Sequence, residues 1–187
     1  MTKSARPELR TARLLLRQWR PDDLPLLAAL NADPRVMEFF PAPKTASESN
    51  AQAAWIEKGI EANGYGLWAV EVPGAAPFIG FVGLSPVGFR GHFTPCVEVG
   101  WRLAFDHWGR GYATEGARAA LAHGFGPLAL PEIVSFTAAG NARSRAVMAK
   151  LGMVRDPRDD FDHPAIAEGN PLRRHVLYRI GRPIDQQ

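Results

Sequence analysis

The chain has almost no cysteine and no long apolar run. Cys96 is the single cysteine among 187 residues, which excludes an intrachain disulfide and a multi-cysteine zinc site. The leucines at residues 14–16 form a run far too short to cross a bilayer. The first ten residues, MTKSARPELR, are too polar for a secretory signal. We therefore expect a cytoplasmic protein without a membrane segment, because a reducing compartment suits a chain that has no disulfides.

Metal-ligand spacing and concentrated charge are also lacking. The five histidines, at residues 92, 107, 123, 163 and 175, follow no spacing typical of metal ligands, so no metal is expected. The net charge is +3, and eighteen of the twenty-two basic residues are arginine, scattered from Arg6 to Arg182. Because nucleic-acid binding requires a concentrated basic surface, nucleic acid is not expected as a partner.

A glycine-rich turn is the most informative feature that is present. Residues 98–118, EVGWRLAFDHWGRGYATEGAR, run from an alternating strand pattern through a Trp-Gly-Arg-Gly turn into a helix. Gly109 and Gly111 have no Cβ, so their amides can approach a ligand closely, and the first N–H groups of the helix have no intrahelical partner. Because the helix dipole and Arg110 add positive charge at the same end, the turn predicts a pyrophosphate site.

The spacing of this turn excludes two common phosphate motifs. A dinucleotide fingerprint needs a third glycine where Thr114 stands, and the Gly-Lys-Ser/Thr of a Walker loop does not occur. The pattern Trp108-x-x-Gly111-x-Ala113 resembles the Q/R-x-x-G-x-G/A signature of the GNAT N-acetyltransferases, with Trp108 in place of Gln or Arg. In that family the turn holds the pyrophosphate of acetyl coenzyme A. The variant WGRGYATE is similar to the branch of the ribosomal-protein N-terminal acetyltransferases RimJ and RimL. A glycine-rich corner that binds nothing is the alternative interpretation.

A second segment resembles the same family. Residues 141–153, NARSRAVMAKLGM, follow an apolar run at 133–136 and are similar to the family's N-x-x-S helix with its Leu-Gly-Phe-like end. The resemblance spans nearly the whole chain and implies a single acetyltransferase domain over residues 1–187. It also implies a mixed, mostly antiparallel central sheet flanked by helices. Two central strands, 97–104 and 132–137, would diverge around the pantetheine arm.

The hydrophobic pattern independently predicts the α+β class, because strands and helices follow one another in a mixed order. A Gly-Pro turn predicts a hairpin in the middle of the chain, and Gly124 is placed to end the helix that follows the glycine-rich turn. The predicted strands are 9–19, 65–72, 78–84, 97–103, 132–137 and 172–180; the predicted helices are 22–30, one after the polar tract 45–50, 113–123 and 143–151, with a further short turn or helix at 35–40.

The resemblance implies a site for acetyl coenzyme A. Asn141 would contact the pantetheine arm, and Arg143 and Arg145 would reach the 3′-phosphate. The alternatives are an ordinary turn before a helix for Asn141 and solvated side chains for the arginines. The residues expected to bind the coenzyme are Trp101, Leu103, Trp108, Gly109, Arg110, Gly111, Tyr112, Ala113, Thr114, Asn141, Arg143 and Ser144.

Acetyl transfer to an amine requires a base, since an alkyl amine is largely protonated at neutral pH. Glu98 is the candidate by resemblance, and a surface pair with Arg102 is the alternative. Ser144 is the candidate donor to the leaving thiolate, because Met148 stands where many relatives carry a tyrosine. The alternative for Ser144 is a role in the first turn of its helix.

The acceptor is expected to be a primary amine, either a protein N-terminus or a small molecule, acetylated by a monomer or homodimer. The acidic cluster at residues 159–162 would attract a cationic amine if it faced the acceptor, but a solvated loop is the preferred interpretation. Phe39, Phe40 and Trp55 either line the acceptor pocket or belong to the core. A catalytically degenerate coenzyme-binding or regulatory module is the alternative function. A nucleotide-dependent oxidoreductase is disfavoured by the missing third glycine.

Overall fold

A computed structural model of the chain describes residues 7–183. The first six residues of the polar N-terminal segment, and both ends of the predicted domain, lie outside the described residues. The strands are β1 Leu9–Arg10, β2 Leu15–Arg17, β3 Leu67–Val72, β4 Ala76–Pro86, β5 Val97–Leu103, β6 Glu132–Ala138, β7 Val154–Arg155, β8 Phe161–Asp162 and β9 Arg174–Gly181; the α-helices are α1 Asp23–Ala32, α2 Ala46–Asn63, α3 Tyr112–Phe125 and α4 Ala142–Lys150.

The strands of the described residues form one mixed sheet in the order β1-β2-β3-β4-β5-β6-β9-β7, with β8 paired to β9. Neighbouring strands are antiparallel except β5 and β6, which are parallel and share a single register pair, Glu98 with Val134. Since both strands are seven residues long, they part toward their carboxyl ends. The α+β class and the predicted mixed sheet with two diverging central strands are confirmed.

Two apolar layers cover the sheet, because alternate residues of each strand point to opposite faces. On one face, Val99 and Leu103 of β5 pack with Ala117 and Ala120 of α3. On the other face, Phe81 of β4 packs in a cluster with residues of α1 and α2. Glu98, Gly100 and Arg102 alternate with the α3-facing residues, so they lie on the face that α1 and α2 cover.

Helix α2 begins where the polar tract predicts a cap. The side chain of Thr45 accepts from the Glu48 amide, and the Glu48 carboxylate accepts from the Thr45 amide, which forms a complete capping box. Gly64 ends the helix in the left-handed conformation, with φ of 76°. The cap therefore satisfies orphan donors at the start of the helix that supplies one wall of the cavity described below.

Two local predictions were wrong. Residues 9–19 form the hairpin β1–β2 rather than one strand, because the Thr11 hydroxyl accepts from the Leu14 amide at 2.9 Å and closes a turn. Residues 35–40, predicted as a short turn or helix, form turns between Pro34 and Pro41, which agrees with the first of these alternatives. Gly124 does not end α3, which runs to Phe125 and is capped by Gly126. A Cβ on Gly124 would stand 2.5 Å from Ile133 Cδ1, so glycine is required there for close packing against β6.

Candidate active site

The turn between β5 and α3 has the geometry of an anion site. Gly109 and Gly111 have φ values of 72° and 81°, in the left-handed region that favours glycine. Gly111 is the N-cap of α3 and supplies no side-chain cap. Within residues 7–183, nothing accepts a hydrogen bond from the amides of residues 109–114. These donors at the positive end of the helix dipole are therefore available to an anion.

A cavity of about 780 Å³ extends from this turn along the gap between β5 and β6. Its size is typical of a pocket for a small ligand. The cavity brings together residues that are more than forty positions apart in the sequence. Of the residues predicted to bind coenzyme or to catalyse transfer, those that line it are Glu98, Trp101, Leu103, Trp108, Gly109, Gly111, Tyr112, Ala113, Thr114, Asn141, Arg143 and Ser144.

Two residues predicted to contact the coenzyme, Arg110 and Arg145, do not line this cavity. The Arg110 side chain is exposed, and the Arg110 carbonyl accepts a hydrogen bond from Arg13 Nη1 at 3.0 Å. Arg13 was missed by sequence analysis. It pairs with Glu115 at 2.6 Å and lines a neighbouring cavity beside Gly111, together with Arg118 and Lys150. Because Arg13 belongs to the β1–β2 turn, only the folded chain brings it to the phosphate turn.

Glu98 projects into the cavity from the narrow end of the gap. A Cβ at Gly100 would lie 3.9 Å from Glu98 Oε1, so the missing side chain leaves space beside the carboxylate. Burial raises the pKa of Glu98 to about 8, because desolvation disfavours the charged form. The alternative of a surface pair with Arg102 is wrong: the Arg102 guanidinium instead donates to Asn31 Oδ1 at 2.6 Å, and neither side chain is exposed.

Asn141 and Ser144 form a small hydrogen-bonded unit at the start of α4. Asn141 is the N-cap, and its Oδ1 accepts from the Ser144 amide at 3.2 Å. Asn141 Nδ2 donates to Thr137 Oγ1 at 3.0 Å and to Ser144 Oγ at 3.2 Å. Because Ser144 Oγ is an acceptor in this unit, its hydroxyl proton remains available to a ligand. Met148 is buried and offers no donor.

Arg143 and Arg145 have partners within the protein. Arg143 forms an ion pair with Glu38, and its guanidinium lies 4.8 Å from the Trp108 ring centroid. Arg145 donates to the Ala139 carbonyl at 3.2 Å. The indole of Trp108 is itself fixed, since its Nε1 donates to the Leu103 carbonyl at 2.8 Å. Trp108 thus takes over a structural role at the position where the wider family pattern has a polar side chain.

One wall of the cavity is apolar and aromatic. Phe39, Phe40 and Trp55 line it, and Trp55 is 58% exposed, so these residues form a wall rather than core. The histidines His163 and His175 line it as well, with ring centroids 4.9 Å apart. Sequence analysis did not assign these histidines to the site, because they lie in a loop and a strand remote from the recognised motifs.

The acidic cluster does not face the cavity. Asp159 pairs with Arg179 at 2.7 Å, Asp160 pairs with Arg155, and Asp162 pairs with Arg174 at 3.3 Å. None of these carboxylates is among the lining residues. The preferred interpretation of a surface loop agrees with this geometry, although the carboxylates are ion-paired rather than free in solvent.

The described residues contain neither a group of metal ligands nor a membrane-spanning helix. In the part of the chain from residue 7 to residue 183, no three histidine, cysteine or acidic side chains are grouped so as to hold a metal ion. The same residues contain no helix that is both long and apolar enough to span a membrane.

The parallel strands β5 and β6 part over the cavity, and a turn of free amides lies at its end. A sequence profile described as an acetyltransferase (GNAT) domain matches residues 13–154. The protein named FsC-acetyl coenzyme A-N(2)-transacetylase, from Aspergillus fumigatus, is 34% identical over 200 residues, which cover 98% of this chain and 83% of the relative. The chain therefore belongs to the GNAT family and is an acetyl coenzyme A-dependent N-acetyltransferase.

Solved structures share the fold. Spermidine N-acetyltransferase from Vibrio cholerae, in complex with coenzyme A and spermine, has a TM-score of 0.70 and 21% identity, covering 92% of this chain and 97% of its own. RimL, a ribosomal-protein α-N-acetyltransferase in complex with coenzyme A, has a TM-score of 0.73 and 14% identity, covering 94% and 98%. The predicted resemblance to the RimJ and RimL branch is thus confirmed in the fold.

Proposed function

We propose that this protein transfers the acetyl group of acetyl coenzyme A directly to a primary amine within a ternary complex. The amine belongs to a small molecule or to a protein N-terminus. The observation that carries the proposal is a single carboxylate, Glu98, in the same cavity as the free amides of Gly109–Thr114. We also propose a cytoplasmic location, since the one cysteine, Cys96, is a free thiol.

The coenzyme pyrophosphate binds the amides of the turn. The residues fit this role because two left-handed glycines expose the backbone and because the donors lack protein acceptors. The arm of the coenzyme then follows the gap between β5 and β6. Beyond the Glu98–Val134 pair, the backbone groups that face this gap do not pair with the opposite strand and can bond the amides of the arm. Asn141 contributes the remaining lone pair of Oδ1 there, since both Nδ2 protons are engaged.

Glu98 removes a proton from the acceptor amine, either directly or through a water. The amine nitrogen forms a bond to the thioester carbon, the C–S bond breaks, and coenzyme A leaves as a thiolate. A carboxylate with a pKa near 8 is a stronger base than an exposed glutamate, and its value lies close to neutral pH, where a general base is most effective. Gly100 leaves the space in which the amine approaches this carboxylate.

Ser144 donates its free hydroxyl proton to the leaving thiolate as a hydrogen bond. Asn141 orients the hydroxyl, because Nδ2 occupies a lone pair of Oγ at 3.2 Å. The thiol of coenzyme A is a comparatively good leaving group, so positioning supplies much of the rate and a strong acid is not required. Arg143, held over the Trp108 ring, lines the same cavity.

A regulatory coenzyme-binding module is the second candidate function. The specific observation that favours it is Met148, which is 1% exposed and offers no proton to a thiolate where many relatives carry a tyrosine. Such a module would bind coenzyme A tightly and release no thiol with any acceptor.

Thiol release from acetyl coenzyme A, measured against a panel of amines and N-terminal peptides, tests the proposal. Gly111→Asp should abolish coenzyme binding, because a carboxylate would face the pyrophosphate. The matched control is Gly74→Asp, since Gly74 has a φ of 76° and nothing near its Cβ position but lies in the β3–β4 turn. Equal loss of binding in both variants would contradict the phosphate turn. Tight binding without turnover on any amine would favour the module.

A further inference from the structure

Arg102 is an enclosed cation that faces the acceptor side of the cavity without a carboxylate partner. It lies on β5 four residues after Glu98 and on the same face of the strand. It lines the cavity, and no ion pair of the described residues includes it. Enclosing a charge costs folding free energy unless the charge is paired and hydrogen-bonded. Arg102 is therefore kept at this position at a cost in stability.

The guanidinium is only partly satisfied by the protein. Nη1 donates to Asn31 Oδ1 at 2.6 Å, while Nε is buried and has no hydrogen-bond partner. The Phe40 ring centroid lies 4.0 Å from the guanidinium carbon, and that of Phe81 lies 5.4 Å away. Burial lowers the pKa of Arg102 to about 10, so the group is still charged at neutral pH. Aromatic faces hold the cation in place but do not neutralise it.

A polar network built from α1 and α2 fixes the direction of this cation. Asn31 is fully buried, and its Nδ2 donates to Ser49 Oγ and to Gln52 Oε1, each at 3.1 Å. Ser49 Oγ in turn donates to the Thr45 carbonyl at 2.9 Å. Because every donor meets an acceptor in this chain of bonds, Asn31 must present its oxygen to Arg102. The position of the guanidinium is therefore set by the fold.

We propose that Arg102 binds a carboxylate on the acceptor, so that the substrate is an amine that carries a carboxylate several bonds from the reacting nitrogen. This inference rests on the proposed function, with the amine at Glu98. Arginine suits the task because its planar fork binds carboxylates bidentately. The coenzyme phosphates are expected at a different place from Arg102. The turn that binds them leads into α3, and α3 packs on the opposite face of β5.

The spacing of Glu98 and Arg102 sets the shape of the acceptor. Four residues of extended strand separate their Cα atoms by about 13 Å. We therefore expect several bonds between the amine and the carboxylate of the acceptor, as in a longer amino carboxylate or in a peptide with an acidic side chain after its N-terminus. A polycation such as the spermine bound by the Vibrio cholerae neighbour would meet Arg102 as a like charge.

A substrate series tests the proposal. Acetyl coenzyme A turnover is measured with ω-amino carboxylates from 3-aminopropanoate to 8-aminooctanoate, each against its neutral primary amide, and with the peptide pair Gly-Ala-Glu and Gly-Ala-Gln, both amidated at the C-terminus. The wild-type kcat/KM should favour the carboxylate by about tenfold at the best length, as expected for a hydrogen bond to a charged group. The series and the peptide pair separate a small-molecule source from a peptide source of the same carboxylate.

Three variants define the result. Arg102→Gln should reduce the carboxylate-to-amide ratio to near one with unchanged affinity for coenzyme A, and Arg102→Lys should restore part of it, because the charge returns without the fork. The matched control Arg158→Gln should keep the wild-type ratio, since Arg158 is exposed and pairs with Asp156. A wild-type ratio near one for every pair, best turnover with spermidine, or an Arg102→Gln variant that keeps the ratio or weakens coenzyme binding would each overturn the proposal.

Failure of the proposed function has a different signature. If no amine releases thiol, isothermal titration of the same compounds into protein saturated with coenzyme A still decides the role of Arg102. Carboxylates that bind the wild type about tenfold more tightly than their amides, and that lose this advantage in Arg102→Gln, would support the carboxylate site. Equal affinities for carboxylate and amide would overturn it.

Discussion

Arg17 and Arg102 are both enclosed arginines, but they lie in opposite electrostatic surroundings. Arg17 is 1% exposed and pairs with Asp23 at 2.7 Å and with Glu71 at 2.8 Å. The hydrogen bonding of the Arg17 guanidinium to the Asp23 carboxylate is the largest cause that raises the pKa of Arg17. Arg102 has one neutral amide partner, and burial lowers its pKa. Carboxylates of the fold neutralise Arg17, whereas no ion pair of the described residues includes Arg102.

This contrast separates stability from function. The Arg17 cluster joins β2, β3 and the first turn of α1, so its charges belong to the folded framework. Arg102 and Glu98 lie in the cavity, and burial disfavours the charged form of each side chain. Substitutions in the first region should lower the free energy of unfolding, whereas substitutions in the second should lower turnover or selectivity at little cost in stability.

Glu98→Gln should produce the largest effect, on the cavity side of the comparison. Loss of a general base typically lowers the rate by about 10² to 10⁴-fold, so kcat should fall by that range while coenzyme affinity stays unchanged. Steady-state thiol release together with calorimetric titration of coenzyme A measures both quantities. A variant that retains more than half of wild-type kcat would remove Glu98 from the mechanism.

Arg17→Met should have the largest effect on stability. Removing one partner of a buried charge network leaves Asp23 uncompensated and costs about 3–5 kcal/mol. Urea unfolding measures the loss, and kcat per folded molecule should remain near the wild-type value. If kcat fell while the free energy of unfolding did not change, the division between the two regions would be wrong.

The pH dependence of stability should show a directional effect of Glu98. Its pKa in the folded protein, about 8, is raised from the ordinary glutamate value of 4.5, so the folded state holds the proton more tightly than the unfolded chain. The stability from this proton is fully present below about pH 4.5 and is lost as pH rises through about 8. The urea midpoint of the wild type minus that of Glu98→Gln should therefore decrease as the pH rises from about 4.5 to about 8. Parallel curves would contradict the raised pKa.

Arg102→Met should have the smallest effect on stability. The uncompensated charge disappears, which offsets the lost hydrogen bond to Asn31, so the free energy of unfolding should change by less than about 1 kcal/mol. Compared with Arg17→Met, this variant is the sharpest test of the contrast, because both substitutions replace an enclosed arginine by the same side chain. A loss of stability as large as that of Arg17→Met would show that Arg102 is structural.

Local patterns were sufficient to predict much of the fold and part of the site. The turn at Gly109 and Gly111 and the Asn141–Ser144 unit are each contained in one short segment, where glycine conformation and helix capping act locally. The placement of Glu98 beside them followed from strand alternation and from the resemblance to the family. Their assembly along one cavity agrees with that expectation, and their chemical roles remain predictions.

The features that were missed depend on distant parts of the chain. Arg102 meets Asn31 across seventy-one positions, and Arg13 meets Arg110 across ninety-seven. No periodicity or spacing within a segment encodes such contacts. The hairpin at residues 9–17 was missed for a related reason, since the Thr11 hydroxyl closes a turn inside a run that is otherwise typical of one strand.

The pH profile of kcat/KM tests the central claim, proton transfer to Glu98, most directly. An acceptor whose amine titrates below neutral pH removes the contribution of its own ionisation. The wild-type profile should rise with pH and reach half of its maximum near pH 8, because burial raises the pKa of the carboxyl to about 8. The Glu98→Gln profile should be low and flat over the same range. A wild-type profile without an inflection, or one that persists in Glu98→Gln, would contradict the account.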